Sequence, residues 1–366
     1  MIGLALSGGG SRAMAFHLGC LRALNDLGLI DRIGVLSTIS GGSVIGAYFA
    51  YSSDKSFAEF DSDICHFLRK GFHRSIALEL AKPGNLIRCG ASFCASKMSA
   101  LLAPFQWMES TIHRYPSRTD MFHKVLQRDI FPNLRMSSPR RRNIDIVIGA
   151  CELRKGTAFR FSNTKSGDWR NGTMVDWDVE VGFAVAASAA YPLYLPAFDR
   201  TWKFRKGEKE TDCRVLITDG GIYDNLGLQV LEPGRDPNVS LHTFPCEYLI
   251  ACNAGQGQED EGSVPLSFVP RVFRSFDIVH RRVQDSTMHR LHQLKQSGRI
   301  KGFVLPYLGQ QDSSLPWKPA NLVPRSEVVK YPTDFAAMSG QWIEKLASRG
   351  EQLTRGLVDY YLSGVL

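Results

Sequence analysis

Residues 2–51 carry one local pattern twice, and that repetition constrains the fold more than any other feature of the chain. Leu4–Leu6 is an apolar run that passes into Ser7-Gly8-Gly9-Gly10-Ser11-Arg12. Met14, His17, Leu18, Leu21, Leu24 and Leu27 then recur at three- and four-residue spacing, the signature of a helix with one buried face. The second copy follows at once: Arg32–Ile39 reads as a strand, Ser40–Ser43 as a turn and Val44–Tyr51 as a buried helix. Two adjacent β-turn-α units predict a parallel sheet covered by helices.

Downstream, residues 52–142 read as an irregular helical insertion or cap ending in the basic cluster Arg135, Arg140, Arg141 and Arg142. Strand signals resume at Ile144–Ala150, Ala158–Phe161, Val215–Thr218 and Tyr248–Ala251, each a β-branched or aromatic run bounded by turn residues. The region 265–300 is predicted to form a basic amphipathic helix, with Phe273, Phe276, Val279, Val283, Leu291 and Leu294 at mostly helical spacing. Residues 333–362 read as two helices broken near Gly350. At 366 residues the chain is long for one domain, yet it has no repeat, low-complexity tract or proline-rich linker. A single composite domain over 1–366 is the expectation.

The N-terminus lacks the basic start and small-residue cleavage site of a signal peptide, so the chain reads as made in the cytoplasm. The stretch Leu86–Met108 is broken by Arg88 and Lys97 and falls short of the roughly 18 to 20 clean apolar residues of a membrane span. The eight cysteines show neither a CxxC pair nor zinc-type spacing, and they read as buried small hydrophobes. A formal charge of +8 fits an anionic partner, but no basic-aromatic alternation or motif supports nucleic acid.

Three segments carry chemistry. Thr38-Ile39-Ser40-Gly41-Gly42 resembles the GxSxG turn that holds a nucleophilic serine between a strand and a helix, with threonine at the first glycine. Gly41 and Gly42 leave room beside Ser40, and the helix N-terminus behind it favours a developing oxyanion. Ser43 is followed by Val44 and Ile45 and reads as structural. In the first loop, the successive N–H groups of Gly8, Gly9 and Gly10 can converge on an anion, while the P-loop lysine and the dinucleotide GxGxxG spacing are missing. Arg12 could bind a lipid phosphate or brace the loop against a carboxylate. Finally, the run Val215–Thr218 delivers Asp219 followed by Gly220-Gly221, so this carboxylate can approach another loop and accept a serine proton directly. Asp224 reads as a cap or turn residue. Serines beside glycines also cap helices and Asp-Gly pairs also make plain turns, so neither segment alone excludes a structural role.

Taken in order, SGGGSR, the serine turn and the late Asp-Gly-Gly resemble the patatin-like phospholipase family. Ala187-Ser188-Ala189-Ala190-Tyr191-Pro192 resembles the family's Ala-Ser-x-Ala-x-Pro stretch, and Cys151–Gly156 the segment after its central insertion. The resemblance covers Gly3–Tyr51 and Ile144–Gly227. It implies a three-layer α/β/α fold with a mainly parallel central sheet, and hydrolysis of lipid acyl esters, phospholipid or glyceride, without metal or other cofactor. It also implies Ser40 as nucleophile, Asp219 as base in a Ser/Asp dyad, and Gly8, Gly9 and Gly10 as the oxyanion hole. The departure at Thr38 looks like the variant turn of relatives of the cytosolic phospholipase A group.

Two alternatives stand beside this reading. A Ser/Asp/His triad acting on small soluble esters would recruit His242, His280, His289 or His292, which follow Asp219 in chain order, although the last three fall on the basic helix, where a solvent-facing position is the simpler account. His17 reads as a packing residue. A non-enzymatic lipid binder would lack one of the three segments, and all are present. For substrate approach, the segment Leu86–Met108, with Phe93, Met98, Leu101, Leu102, Phe105 and Trp107, and the basic helix from Phe268 are the candidate lid and the candidate contact with an anionic membrane surface.

Overall fold

The computed structural model describes all residues except 53, 103–116, 140–143, 193, 258–265, 318, 320 and 364–366. Arg140, Arg141, Arg142, Phe105, Trp107 and Met108 therefore lie outside the described residues.

The two units predicted at the start of the chain are β1 (Ile2–Leu6), α1 (Gly10–Asp26), β2 (Ile33–Ile39) and α2 (Gly41–Tyr51). The next region supplies helices α3 (Phe57–Lys70), α4 (His73–Leu80), α5 (Pro83–Leu102) and α6 (Arg118–Asp129). Then come β3 (Asp145–Glu152), β4 (Thr157–Ser162), β5 (Gly167–Asp168), β6 (Gly172–Met174), α7 (Val181–Ser188), β7 (Phe198–Lys206) and β8 (Lys209–Asp219). The chain closes with β9 (Tyr248–Cys252), α8 (Phe268–Gln296), β10 (Gly302–Val304) and α9 (Gly340–Tyr361).

These strands form one ten-stranded sheet in the order β10-β9-β1-β2-β3-β4-β5-β6-β7-β8. From β10 to β3 all neighbours are parallel, and from β3 to β8 all are antiparallel. In the parallel half the strands are apolar on both faces, as a sheet covered on both sides requires. Leu4, Leu6, Leu36, Ile146 and Ile148 enter one core with α1, α2, α7 and α9. Ala5, Val35, Val147, Leu249 and Ala251 enter a second core with Leu226, Leu228, Leu231 and the α8 residues Leu291 and Leu294. Helix, sheet and helix layers follow directly from that alternation.

The C-terminal segment differs from the sequence expectation. Gly340–Tyr361 is one continuous helix, with Gly350 in its interior. A Cβ on Gly350 would run into the Phe16 carbonyl oxygen, so this glycine permits close crossing of α9 over α1 rather than breaking the helix. The hairpin β7–β8 is the other element the strand signals understate, because its distal half is charged and exposed.

Candidate active site

The site is a meeting of two strand ends on one edge of β3. Along that edge β2 runs parallel, with Ile39 opposite Gly149, and β8 runs antiparallel, with Asp219 opposite Ala150. The two strands approach head-on and end at adjacent β3 positions. Ser40 is the residue after Ile39, so this register brings its side chain beside that of Asp219, close enough for the Ser40 hydroxyl to bear on the carboxyl.

Backbone geometry holds Ser40 in place. Its φ of 51° and ψ of −119° lie in a region that side chains avoid, and among the described residues Asn133 is the only other non-glycine with positive φ. The surroundings impose this conformation. The Ser40 N–H donates to Ser188 Oγ at 2.9 Å, and Ser188 Oγ donates to the Gly149 carbonyl at 2.6 Å. Ser43 Oγ lies 2.9 Å from Ser188 Oγ, with its hydroxyl available to donate, so Ser43 belongs to the support of the turn. A Cβ on Gly41 would overlap the backbone of Gly10, which seats the first glycine loop against the serine turn. The space beside Gly46 is filled by the Thr38 methyl, and this is how the chain accommodates threonine at the position where the motif has glycine.

Asp219 is almost fully buried. Its Oδ1 accepts the Gly221 N–H at 2.7 Å, while its own N–H donates to the Ala190 carbonyl at 3.1 Å and the Gly220 N–H to the Ser188 carbonyl at 3.2 Å. Burial pushes the Asp219 carboxyl up to about 7, against the opposing pull of the Gly221 N–H and the Ser40 hydroxyl. A carboxyl that titrates near neutrality is matched to taking and returning a proton at physiological pH.

The first loop passes beside both groups. A Cβ built on Gly8 would lie 3.3 Å from Ser40 Cβ. The Gly8 N–H donates to the Asn225 carbonyl at 3.0 Å. Gly9 and Gly10 have φ of 141° and 58° at the start of α1, and among the described residues no backbone carbonyl takes up their N–H groups. Two donors at the N-terminus of α1 are therefore left without a backbone acceptor, on the loop that is seated against the serine turn. Arg12 is buried: Nε donates to the Ala254 carbonyl at 3.1 Å and Nη1 to the Tyr331 carbonyl at 2.8 Å. Of the two roles the sequence leaves open for Arg12, these bonds supply the brace, made on carbonyls rather than a carboxylate. Burial lowers its guanidinium to about 10.

Asp224 accepts the N–H groups of Gly227 at 3.1 Å and Gln229 at 2.8 Å, the turn role its sequence context suggests. Two residues without an assigned role in the sequence prove central: Ser188, quoted only as part of a motif, and Asn225, which lies between the glycine loop and the Asp219 turn. Their signal was proximity to motifs, but only the fold aims them.

The histidines separate clearly. His242 is buried against Ser162 Oγ at 3.0 Å and the Lys165 carbonyl at 3.2 Å, and burial lowers it to about 3. His17 Nε2 lies 3.0 Å from the Ser7 carbonyl oxygen. His280 departs from a solvent-facing position: it is half-buried, stacks on Phe276 and meets the Gly221 backbone, not Asp219. Among the described residues, His17, Cys20 and Cys252 form one buried group of potential metal ligands. Their separation in the chain hides this group from any spacing rule.

The family description "Patatin-like phospholipase" matches residues 4–231, and the chain belongs to that family. Among solved structures it is similar to human GIVD cytosolic phospholipase A2, at 14% identity over 97% of this chain and 58% of that chain, with a TM-score of 0.53. The same enzyme in complex with methyl gamma-linolenyl fluorophosphonate and terbium chloride gives 13% identity over 97% and 57% of the two chains and a TM-score of 0.51. VipD from Legionella pneumophila matches at 14% identity over 98% of this chain and 66% of that chain, with a TM-score of 0.40. At these identities the likeness to the human enzyme is one of fold, and this chain spans less than two thirds of that enzyme's length. No curated protein matches the sequence.

Proposed function

We propose that the protein hydrolyses carboxylic acyl esters of lipids, phospholipid or glyceride, with Ser40 as nucleophile and Asp219 as general base. The observation that carries this reading is the head-on meeting of β2 and β8 on β3, which joins a strained serine to a buried carboxylate titrating near 7.

In the first half-reaction Asp219 accepts the Ser40 hydroxyl proton as Oγ attacks the ester carbonyl carbon. The carbonyl oxygen becomes an oxyanion, stabilised by the N–H groups of Gly9 and Gly10, while the Gly8 N–H, committed to the Asn225 carbonyl, braces the loop instead of serving as a third donor. When the tetrahedral intermediate collapses, the C–O bond to the alcohol breaks and Asp219 returns the proton to that oxygen. This leaves an acyl ester on Ser40. Water then attacks the acyl carbon, Asp219 takes its proton and passes it to Ser40 Oγ, and the carboxylic acid departs. The chain's own groups carry every proton transfer.

Ser40→Ala and Asp219→Asn are each expected to lower kcat on a short-chain ester by about 10³-fold or more, and a fluorophosphonate should label the parent at Ser40 alone. Full activity in the Ser40→Ala protein sinks the reading. Because the base must be ionised, kcat/KM of the parent should rise with pH through about 7. The triad alternative rests on one observation, the place of His280 beside Gly221. A loss in His280→Ala as deep as that in Asp219→Asn would establish it. The dyad predicts a far smaller change.

A further inference from the structure

Helix α8 is 29 residues long, yet only its C-terminal half is anchored in the core, through Leu291 and Leu294. Its N-terminal half presents large apolar side chains to solvent: Phe268 is 71% exposed, Val272 49% and Val279 62%. Phe268, Val272, Val279, Val283, Ser286 and Arg290 follow one another at intervals of three, four or seven residues and so share one face. Apolar at its N-terminal end, this face turns polar where it reaches a groove of about 350 Å³ lined by Val283, Ser286, Thr287 and Arg290 of α8, together with Gln229, Glu232 and Arg235.

The groove carries two arginines, Arg235 and Arg290, against one carboxylate, Glu232. Among the described residues, Arg290 uses only Nε, on Glu232 at 2.9 Å, and Arg235 uses Nε on Ser240 and Nη1 on the Gln229 carbonyl. The remaining guanidinium donors and two hydroxyl-bearing residues therefore line the groove, and Arg160 adds positive charge near Arg235. Arg271, Arg281 and Arg282 add further cationic charge to the same helix. On the flank of the exposed face, α8 packs on the turn Gly221–Asp224. Phe276 lies edge-on to Tyr191 at 6.4 Å, and His280 meets the Gly221 backbone. The helix that displays the apolar stripe thus also walls the catalytic centre.

We propose that this face of α8 docks on an anionic bilayer: the stripe Phe268, Val272, Val279 and Val283 enters the acyl region, and a lipid phosphate headgroup sits in the groove between Arg235 and Arg290. An apolar stripe beside arginines is the chemistry of an interfacial helix, and a bare apolar face of this kind gains by leaving water. Among the described residues no helix is long and apolar enough to cross a membrane, and the contact proposed is with the bilayer surface. The proposal rests on the acyl-hydrolase reading only for its purpose, which is to bring the catalytic centre to lipid esters.

The test uses the full chain carrying Ser40→Ala, so that binding is read without turnover, and compares vesicles of phosphatidylcholine with vesicles containing phosphatidylglycerol. Binding should favour the anionic vesicles and weaken as salt rises. Val272→Ser with Val279→Ser should lower the affinity by about tenfold, and Arg290→Gln by about fivefold at low salt. Thermal melts establish that each variant folds. As a readout independent of affinity, Val272→Trp should give a blue-shifted emission on anionic vesicles. Equal binding to both vesicle types, unchanged binding by the double variant, or an unshifted tryptophan overturns the proposal. None of these results depends on ester hydrolysis, so failure here and failure of the Ser/Asp reading are distinguishable.

Discussion

The two halves of the sheet contribute to the site in opposite ways. The parallel half brings the glycine loop after β1 and Ser40 after β2 to the same end of the sheet, as parallel strands followed by helices must. The antiparallel half brings Asp219 from the other direction, on a strand whose far end lies in an exposed hairpin with its turn at Lys206–Lys209. β3 belongs to both halves and sets the register between them. The proposed Ser/Asp pair depends on one junction, where backbone approaches backbone, while the exposed hairpin lies at the far end of β8 from Asp219.

Four substitutions probe that contrast. The deepest loss of stability falls at the junction itself. Gly41→Ala drives a methyl into the Gly10 backbone and should cost about 3 kcal/mol in urea unfolding, with ester hydrolysis lowered by about 100-fold. An unimpaired variant means that the glycine loop is not seated on the serine turn. Next comes the buried carboxyl. Since the folded Asp219 titrates near 7 and an unfolded aspartate near 4, the unfolded chain ionises first as pH rises, and this group erodes stability between those values. Asp219→Asn removes the erosion. Chemical denaturation should find the variant more stable by about 4 kcal/mol at pH 8 and equal to the parent near pH 3.5, though catalytically dead. Ser188→Ala leaves the Ser40 N–H and the Gly149 carbonyl without their shared partner. It should cost about 1.5 kcal/mol and lower kcat more than it raises KM. At the distal hairpin, Gly207 has φ of 60° and open space around its Cβ position. Gly207→Ala should cost about 1 kcal/mol at most, with kcat/KM unchanged. A loss of activity there shows that the hairpin does steer Asp219.

Much of the parallel half was legible in the sequence because its strands are short apolar runs closed by glycine turns. Arg32–Ile39 matches β2 to within one residue, and Tyr248–Ala251 matches β9 equally closely. The antiparallel half was harder to read. Only Val215–Thr218 of β8 carries a buried-strand pattern, and Lys209–Asp212 is charged and exposed, held in the sheet by pairing with β7 rather than by burial. Ser40, Asp219 and the glycine loop stood out because each places small residues beside a functional group. Their convergence did not, because the head-on register along β3 is a long-range property. The same limit hid Ser188 and Asn225, ordinary residues whose importance lies in what they touch. It also hid the contact between His280 and Gly221, because a helical pattern reveals an amphipathic face without revealing what lies beneath it. Gly350 shows the converse error, since a helix-interior glycine reads as a break until its neighbour's backbone is seen.

The positive φ of Ser40 has a consequence for anyone who evolves this scaffold. Glycine adopts that backbone conformation freely, so relief of the strain favours replacing the one side chain the proposed chemistry requires. Asp219 offers the same temptation. Variant libraries ranked by melting temperature alone would enrich inert proteins at both positions, so selection for robustness in this fold needs a turnover readout at every round.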